Sequence, residues 1–359
     1  MPTVIVPGKG IRFFFTDTGP PLNVPNYTTF ILVHGHTYHA GVFQRLLPLT
    51  EGRSVRIICI NRREYPGSTP HTAEELKVYT SGSQGKRATL LNEAGVNLAL
   101  CVNEIIQQCA LSSAGGVALV GWSLGNTFTM AAMASILGLP APVKERLQNF
   151  VKTIIVWDAP SHALGIKSPP NAYVPLFDQD LAPKARGPAF GKWLESYFIH
   201  GNLSSRDPDQ LNYRTHDPSR KRSFEDLPFG ELLKISHFTV GDNCDTVLMQ
   251  PPFASAISAI VNRALFSGEI RAAWPHTQVS YIYGEANTWD IPFAAWNIEE
   301  RVREARGKAP INFRPIDGAN HFVRLFPPSS SMPILIVIFQ LFWDDPKKAL
   351  DELIGCIKV

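Results

Sequence analysis

The sequence lacks a strong excess of charge of either sign. Its 34 Lys and Arg residues nearly balance 31 Asp and Glu residues, which leaves a net charge of +3 over 359 residues. No long basic run is present, and this balance argues against nucleic acid as a partner. The short basic clusters at 62–63 and 220–222 are expected on the solvated surface or in local ion pairs.

The sequence also lacks cysteine motifs and long apolar runs. Its five cysteines are odd in number and show no C-x-x-C or Cys/His metal spacing, which indicates free thiols in a reducing compartment. The first ten residues have no charged segment followed by an apolar core, as a secretion signal would. The apolar run 332–342 is too short to cross a bilayer. We therefore expect a cytoplasmic protein without a membrane span.

Apolar strand patterns alternate with helical patterns through most of the chain. Apolar residues make up 45% of the sequence, enough for a sizeable core. Strands are predicted at 12–19, 28–34, 56–61, 117–120, 151–158 and 278–284, and helices at 41–49, 93–108, 126–137 and 293–306. This alternation is typical of a mostly parallel sheet with helices on both faces.

The alternation stops between residues 160 and 275. This segment is rich in proline, aromatic and charged residues, and it contains no clear strand followed by a helix. Short helices are predicted within it at 190–198, 229–235 and 253–266. We therefore expect a core built from 1–159 and 276–359, and an insertion, defined here as residues 160–275.

The segment 117–125 reads Val-Ala-Leu-Val-Gly-Trp-Ser-Leu-Gly and carries the strongest chemical signal. Four apolar residues predict a strand, Gly121-x-Ser123-x-Gly125 predicts a tight turn, and small residues after it predict a helix. A serine at the tip of such a turn has a strained backbone, so its neighbours two residues away must be very small. The pattern predicts a nucleophile elbow.

Four motifs, in this order along the chain, resemble the α/β-hydrolase fold family. They are His34-Gly35, Asn61-Arg62-Arg63-x-x-x-Gly67-x-Ser68, Gly121-x-Ser123-x-Gly125 and Gly318-x-Asn320-His321. The resemblance covers most of the chain outside the insertion. It implies a mostly parallel, helix-flanked sheet, and it implies that the insertion between strands 6 and 7 forms a largely helical cap over the active site.

The resemblance also implies roles for individual residues. Ser123 is the expected nucleophile, and His321, in a turn after the last predicted strand, is its expected base. The expected oxyanion hole consists of the backbone N–H groups of Leu124 and His36. The side chains of His36 and His39 either contact substrate or have surface or packing roles. No metal or organic cofactor is implied.

The acid of the triad is missing from its usual place. The family most often has an Asp about three residues past a Gly after strand 7, where this chain has Asn287. Asp290 follows, and it is either the acid or the N-cap of the next helix. We favour Asp158, because an Asp that ends so apolar a strand needs a partner, and haloalkane dehalogenases carry their acid there. Glu285 is a third candidate.

A second departure from the family pattern lies after His321. A helix start is expected around residues 343–350, but the segment 324–342 before it has no evident place in the fold. It is an extra helix, an apolar surface for a membrane or partner, or a translated intron remnant. The sequence leaves these alternatives open.

The expected reaction is acyl transfer to water through an acyl-enzyme on Ser123. The leading interpretation is hydrolysis of an ester or lactone of a hydrophobic small molecule. Cleavage of a carbon–carbon bond in a diketone, or ligand binding without catalysis, remain alternatives. A group of aromatic residues in the insertion either lines the substrate pocket or forms the insertion's own core: Tyr173, Phe177, Phe190, Trp193, Tyr197 and Phe198.

Overall fold

The computed structural model describes residues 2–322, 343 and 345–357. The segment 324–342, for which the sequence left three interpretations open, lies outside the described residues. Among the described helices, none is both long enough and apolar enough to cross a bilayer.

A single sheet of eight strands forms the centre of the described chain. In chain order the strands are β1 (Thr3–Ile5), β2 (Arg12–Asp17), β3 (Thr28–Val33), β4 (Val55–Ile60), β5 (Val117–Trp122), β6 (Val151–Trp157), β7 (Gln278–Gly284) and β8 (Asn312–Ile316). Their order across the sheet is β1-β2-β4-β3-β5-β6-β7-β8. The pairs β1–β2 and β2–β4 are antiparallel, and all other pairs are parallel. The predicted mostly parallel sheet is confirmed.

Helices cover both faces of this sheet, as predicted. They are α1 (Ala73–Ser81), α2 (Gln84–Gln108), α3 (Gly125–Ala134), α4 (Ala141–Phe150), α5 (Pro183–Glu195), α6 (Phe229–Leu232), α7 (Phe238–Val240), α8 (Thr246–Leu248), α9 (Pro251–Phe266), α10 (Gly268–Ala272), α11 (Asp290–Glu304) and α12 (Pro346–Gly355). A π-helical turn, Gly241–Asp245, joins α7 to α8.

The central strands are apolar on both faces because each face is buried. In β3, Ile31 and Val33 pack in the cluster formed with α2, α3, α9 and α11, whereas Phe30 and Leu32 pack on the opposite side with α12. Successive side chains of a strand point to opposite faces, so a strand buried on both sides has no polar alternation. Because β3 to β7 are parallel, their carboxyl ends meet at one edge of the sheet, where polar residues follow the strands.

Several predicted helices have different bounds in the structure. The helix predicted at 41–49 is instead two 3₁₀ turns, Ala40–Phe43 and Leu47–Thr50. The one predicted at 190–198 is α5, which begins seven residues earlier, because Pro183 suits the first helical position. The helix start predicted near 343–350 is α12, with Asp345 as its N-cap.

The insertion contacts the core in two distinct ways. Its last long helix, α9, packs on α2 and α3 within the hydrophobic layer of the core. Its middle part pairs with the loop after β3, through a β-bridge between Tyr38 and Ser236 and a hydrogen bond from the N–H of His39 to the carbonyl of Ile235. The insertion therefore both extends the core and lies against the edge where the strands end.

Candidate active site

Ser123 lies at the tip of the turn between β5 and α3. Its φ is +55°, a conformation that few residues other than glycine adopt. A Cβ atom on Gly121 would lie 2.5 Å from the hydroxyl of Thr129, and one on Gly125 would lie 2.2 Å from the carbonyl of Val33. The turn therefore needs glycine at both positions, which is the physical reason for the pattern that the sequence displays.

The loop after β3 packs directly against Ser123. A Cβ atom on Gly35 would lie 2.6 Å from the Cβ of Ser123. Within the described residues, the backbone N–H groups of His36 and Leu124 donate to no other protein group. Leu124 directly follows Ser123, and His36 directly follows Gly35, which packs on Ser123. An oxyanion hole requires amide donors without other partners near the nucleophile.

His321 lies beside the elbow and is almost completely buried. Its ring is 4.8 Å from the ring of Trp122, the residue before Ser123, and the Trp122 indole N–H donates to the His321 carbonyl. Burial lowers the pKa of His321 to about 3, so the imidazole is neutral at neutral pH. Its Nδ1 atom has no hydrogen-bond partner among the described residues.

Asp158 directly follows β6, has a φ of +42° and is fully buried. One carboxyl oxygen accepts the N–H of Gly284 at 2.8 Å, and the other makes no hydrogen bond of normal geometry among the described residues, although the Asn287 amide lies near the carboxyl group. A Cβ atom on Gly284 would lie 2.4 Å from the carbonyl of Ala319, two residues before His321. Asp158 and the loop that carries His321 thus flank Gly284, and each has one buried polar atom without a hydrogen bond among the described residues.

Burial raises the pKa of Asp158 well above its ordinary value, although the Gly284 N–H and the neighbouring Asn287 amide favour the charged form. Asn287 occupies the slot where the acid was expected, and its side-chain oxygen accepts the N–H of Thr288. It has no charge to stabilise an imidazolium.

Asp290 faces a different histidine. Its carboxylate accepts the Thr288 hydroxyl at 2.7 Å and lies 3.8 Å from Nδ1 of His162. The residue does not cap α11, because Asp290 is the first residue of the helix and Trp289 occupies the N-cap position. Burial raises the pKa of Asp290 to about 6. Glu285 is only half-buried, and its backbone N–H bonds to Ile316.

His162 is a site residue that the sequence did not indicate. It lies on a 3₁₀ turn, Ser161–Leu164, just after Asp158. Burial lowers its pKa to about 3, with smaller contributions from nearby His36 and His321. A single histidine outside any motif carries no signal in the sequence, and only the fold brings these three rings together.

His36 and His39 have well-defined partners. The two ring nitrogens of His36 bond to the hydroxyls of Thr37 and Thr246, the latter from the insertion. The ring of His39 caps the 3₁₀ turn Ala40–Phe43 by accepting the N–H of Gly41. Of the two, His36 lines the large cavity described below and His39 has a capping role.

Arg62 was expected on the surface or in a local ion pair, and this expectation is wrong. Its guanidinium is buried and makes hydrogen bonds of 2.6 and 3.1 Å to Asp245, 183 residues further along the chain. The same group donates to the carbonyls of His34 and Gly35. Arg62 thus binds the loop beside Ser123, and Asp245 of the insertion balances its charge. No local sequence pattern indicates this pairing.

Tyr65 extends this hydrogen-bond network to Thr37 in the same loop. Its hydroxyl donates to Asp245 at 2.6 Å and accepts the backbone N–H of Thr37 at 2.9 Å. Burial alone would raise the pKa of Asp245, but the Arg62 charge prevails and the pKa is lowered. The carboxylate is therefore ionised at neutral pH, and loop residues 34–37 are bound to the insertion through it.

A cavity of about 580 Å³ lies between this loop and the insertion. His36, Thr37 and Tyr38 line it on the core side, and α5 and residues 222–238 line the other side. Phe190 contributes to its wall, with its ring 5.3 Å from that of His36. The volume is typical of small-molecule sites, which span about 300–1,000 Å³.

The other aromatic residues of the insertion mostly form its own core. Trp193 and Phe198 pack with Phe190 in one buried cluster, and Tyr173 packs against that cluster. Tyr197 is buried under the guanidinium of Arg220, whereas Phe177 is exposed. In the part of the chain that the structure describes, no group of three or more His, Cys, Asp or Glu side chains is arranged to hold a metal ion.

Comparisons with known proteins place the chain in one family. The model of the Alpha/beta hydrolase family matches residues 30–329. A search of curated proteins finds no match. Among solved structures, epoxide hydrolase A from Mycobacterium thermoresistibile is 12% identical with a TM-score of 0.51, covering 99% of this chain and 96% of that one. A mutant epoxide hydrolase from Solanum tuberosum is 13% identical with a TM-score of 0.50, covering 99% of both chains. At such low identity these likenesses show the fold alone.

Proposed function

Because the chain belongs to the alpha/beta hydrolase family, we propose that it is a serine hydrolase that cleaves an ester or lactone of a hydrophobic small molecule. The observation that carries this proposal is the strained backbone of Ser123, with the free amides of His36 and Leu124 beside it. Relatives that open epoxides or remove halogens use a carboxylate at this position. A serine there favours acyl transfer.

In the proposed reaction, the Ser123 hydroxyl attacks the substrate carbonyl while His321 takes its proton. The amides of His36 and Leu124 stabilise the resulting oxyanion. The tetrahedral intermediate collapses to an acyl-enzyme, and His321 returns the proton to the departing alcohol. Water, activated in turn by His321, then releases the acid and frees Ser123.

We assign the acid of the triad to Asp158. Its second carboxyl oxygen, with the Asn287 amide near it, and the Nδ1 atom of His321 are both buried without a hydrogen bond among the described residues. The loop that carries His321 packs on Gly284, whose N–H binds the other oxygen of Asp158. Buried polar atoms without partners are costly, and an Asp158–His321 contact would satisfy both. Asp290 is less suitable because its carboxylate already faces Thr288 and His162.

The insertion is proposed to act as a cap over Ser123, with the core formed by 1–159 and 276–359. Supporting this division, Gly241 and Thr246 contact His36, and the cavity lies between the insertion and the loop after β3. Helix α9 lies inside the boundaries of the insertion but packs in the core layer. The capping role therefore falls on the part before α9.

Labelling with a fluorophosphonate probe and turnover of a short-chain p-nitrophenyl ester test the proposal. The wild type should react with both, and Ser123→Ala should react with neither. Ser135→Ala, at the end of α3 and away from the site, is the matched control and should behave as the wild type. An unlabelled, folded wild type would instead support a ligand-binding protein without catalysis. Activity only on a diketone would support carbon–carbon hydrolysis.

A further inference from the structure

A buried carboxyl group lines the large cavity next to the site. Glu195 is the last residue of α5, and only 9% of its surface is exposed. The cavity wall around it is largely aromatic and aliphatic, with Phe190, Phe224 and Phe238 among its residues. A carboxyl in such surroundings is costly to bury unless donors satisfy it.

The contacts of Glu195 connect this group to both catalytic loops. Its Oε1 accepts the hydroxyl of Tyr38 at 3.3 Å, and Tyr38 is two residues after His36. Its backbone carbonyl accepts the side-chain N–H of Asn320, the residue before His321, at 2.9 Å. Glu195 therefore contacts residues that are close in the chain to the proposed oxyanion donor and to the proposed base, and the Tyr38 hydroxyl orients its carboxyl group.

The hydrogen-bonding capacity of Glu195 is not used up by the protein. An ionised carboxylate accepts about four hydrogen bonds, and the Tyr38 hydroxyl is the one side-chain donor that it has among the described residues. Burial raises the pKa of Glu195 to about 7. The rise is opposed by Tyr38, Arg222 and Lys192, and Glu225 adds to it. Acceptor positions thus remain for a donor in the cavity.

The charges around the cavity indicate what kind of donor fits. Lys184, Lys192 and Arg222 line the same cavity, with Glu225 bound to Arg222. Arg222 is paired with Glu225, and the two exposed lysines leave an excess of positive charge along the cavity wall, which disfavours an ammonium ligand by repulsion. A neutral hydroxyl group can donate to the carboxylate without that repulsion.

We propose that Glu195 and Tyr38 form a binding subsite for a hydroxyl group of the substrate, which makes hydroxylated hydrophobic esters or lactones the preferred class. The inference rests on the proposed function. The substrate hydroxyl donates to Glu195, and the Tyr38 hydroxyl holds the carboxyl in place. An analogue without the hydroxyl leaves a buried carboxyl unsatisfied, which is why such subsites discriminate strongly.

Matched ester pairs test the subsite. The probes are 4-nitrophenyl esters of phenylacetate, phenylpropanoate and phenylbutanoate, each with and without a hydroxyl on the phenyl ring. For at least one chain length, kcat/KM of the wild type should be at least about tenfold higher for the hydroxylated ester. Glu195→Leu and Tyr38→Phe should bring this ratio towards one. Glu225→Gln, a carboxylate lining the same cavity, is the matched control and should keep it.

Two results would overturn the subsite: a ratio near one in the wild type at every chain length, or an unchanged ratio in folded Glu195→Leu. Melting temperatures identify a variant that fails to fold. If Glu195→Leu does not fold, the kcat/KM ratio of Tyr38→Phe decides whether the subsite exists. Calorimetric binding of the free hydroxyphenyl and phenyl acids to Ser123→Ala makes the test independent of turnover. Tighter binding of the hydroxylated acid would support the subsite even if no ester is hydrolysed, whereas equal binding would reject it.

Discussion

Arg62 and Asp245 form a buried ion pair that joins the core to the insertion, with two hydrogen bonds of 2.6 and 3.1 Å. The guanidinium of Arg62 also binds the carbonyls of His34 and Gly35. Gly35, in turn, packs on Ser123. A shift of Asp245 in the insertion would therefore move the loop and, with it, the His36 amide. The pair thus holds the loop that carries the proposed oxyanion donor, the amide of His36, in addition to joining the insertion to the core.

Asp245→Asn is expected to lower both stability and kcat. The substitution leaves the buried Arg62 charge without its partner, at a cost of about 3–5 kcal/mol in the free energy of unfolding. The loosened loop should lower kcat about 10- to 100-fold with a smaller change in KM, because the oxyanion forms only during the reaction. Urea unfolding and steady-state kinetics measure the two effects. Glu75→Gln, which removes the partner of Arg63 away from the loop, is the control.

A double variant separates positioning from folding. Replacing both members, as Arg62→Met with Asp245→Leu, removes the buried charges together and should restore much of the stability. It should not restore kcat, because the bonds to the carbonyls of His34 and Gly35 are also lost. Recovery of both quantities in parallel would show that Arg62 and Asp245 act on stability only.

Asp158→Asn is expected to lower kcat by about 10⁴-fold, as loss of the charge behind a catalytic histidine does. Asp290→Asn should keep kcat within about tenfold, because its partners are Thr288 and His162. The two carboxylates are both buried, so each variant serves as the other's control. Near-normal kcat in Asp158→Asn, with loss in Asp290→Asn, would move the acid to position 290.

The sheet and the elbow could be predicted because their signals are local. A strand buried on both faces is apolar throughout, as in β3, and the glycines flanking Ser123 are required by contacts within a few ångströms. Helix starts in the insertion were less predictable. There, a proline such as Pro183 sets the helix start as much as apolar spacing does.

The polar contacts between insertion and core could not be predicted from the sequence. Arg62 and Asp245 are far apart in the chain, and neither lies in a pattern that identifies its partner. The same holds for His162 and for Glu195, each of which gains a role only from the loops that the fold brings around it. Long-range pairing of buried charges is decided by tertiary structure, where local propensity has no influence.

His162→Gln is expected to make stability less sensitive to acid. Burial holds the pKa of His162 at about 3 in the folded protein, below about 6.5 in the unfolded chain. The unfolded state therefore binds more protons between these values, and stability is lost as the pH falls below about 6.5. Removing the group should reduce the loss by up to about 1.4 kcal/mol per pH unit between about pH 6 and pH 4.

Urea unfolding at several pH values measures this slope. His216→Gln, at an exposed position, is the matched control and should keep the slope of the wild type. An equal slope in His162→Gln and the wild type would mean that His162 is protonated in the folded protein at mildly acidic pH.

Gly35→Ala is expected to abolish activity while leaving most of the fold intact. The added Cβ would lie 2.6 Å from the Cβ and 3.0 Å from the hydroxyl of Ser123, so the loop and the serine cannot both keep their positions. Displacement of the His36 amide should lower kcat at least about 100-fold and slow labelling by a fluorophosphonate. Gly138→Ala is the matched control, because a Cβ there meets nothing within 4 Å. It should leave kcat unchanged, and a normal kcat in Gly35→Ala would contradict the proposed oxyanion hole.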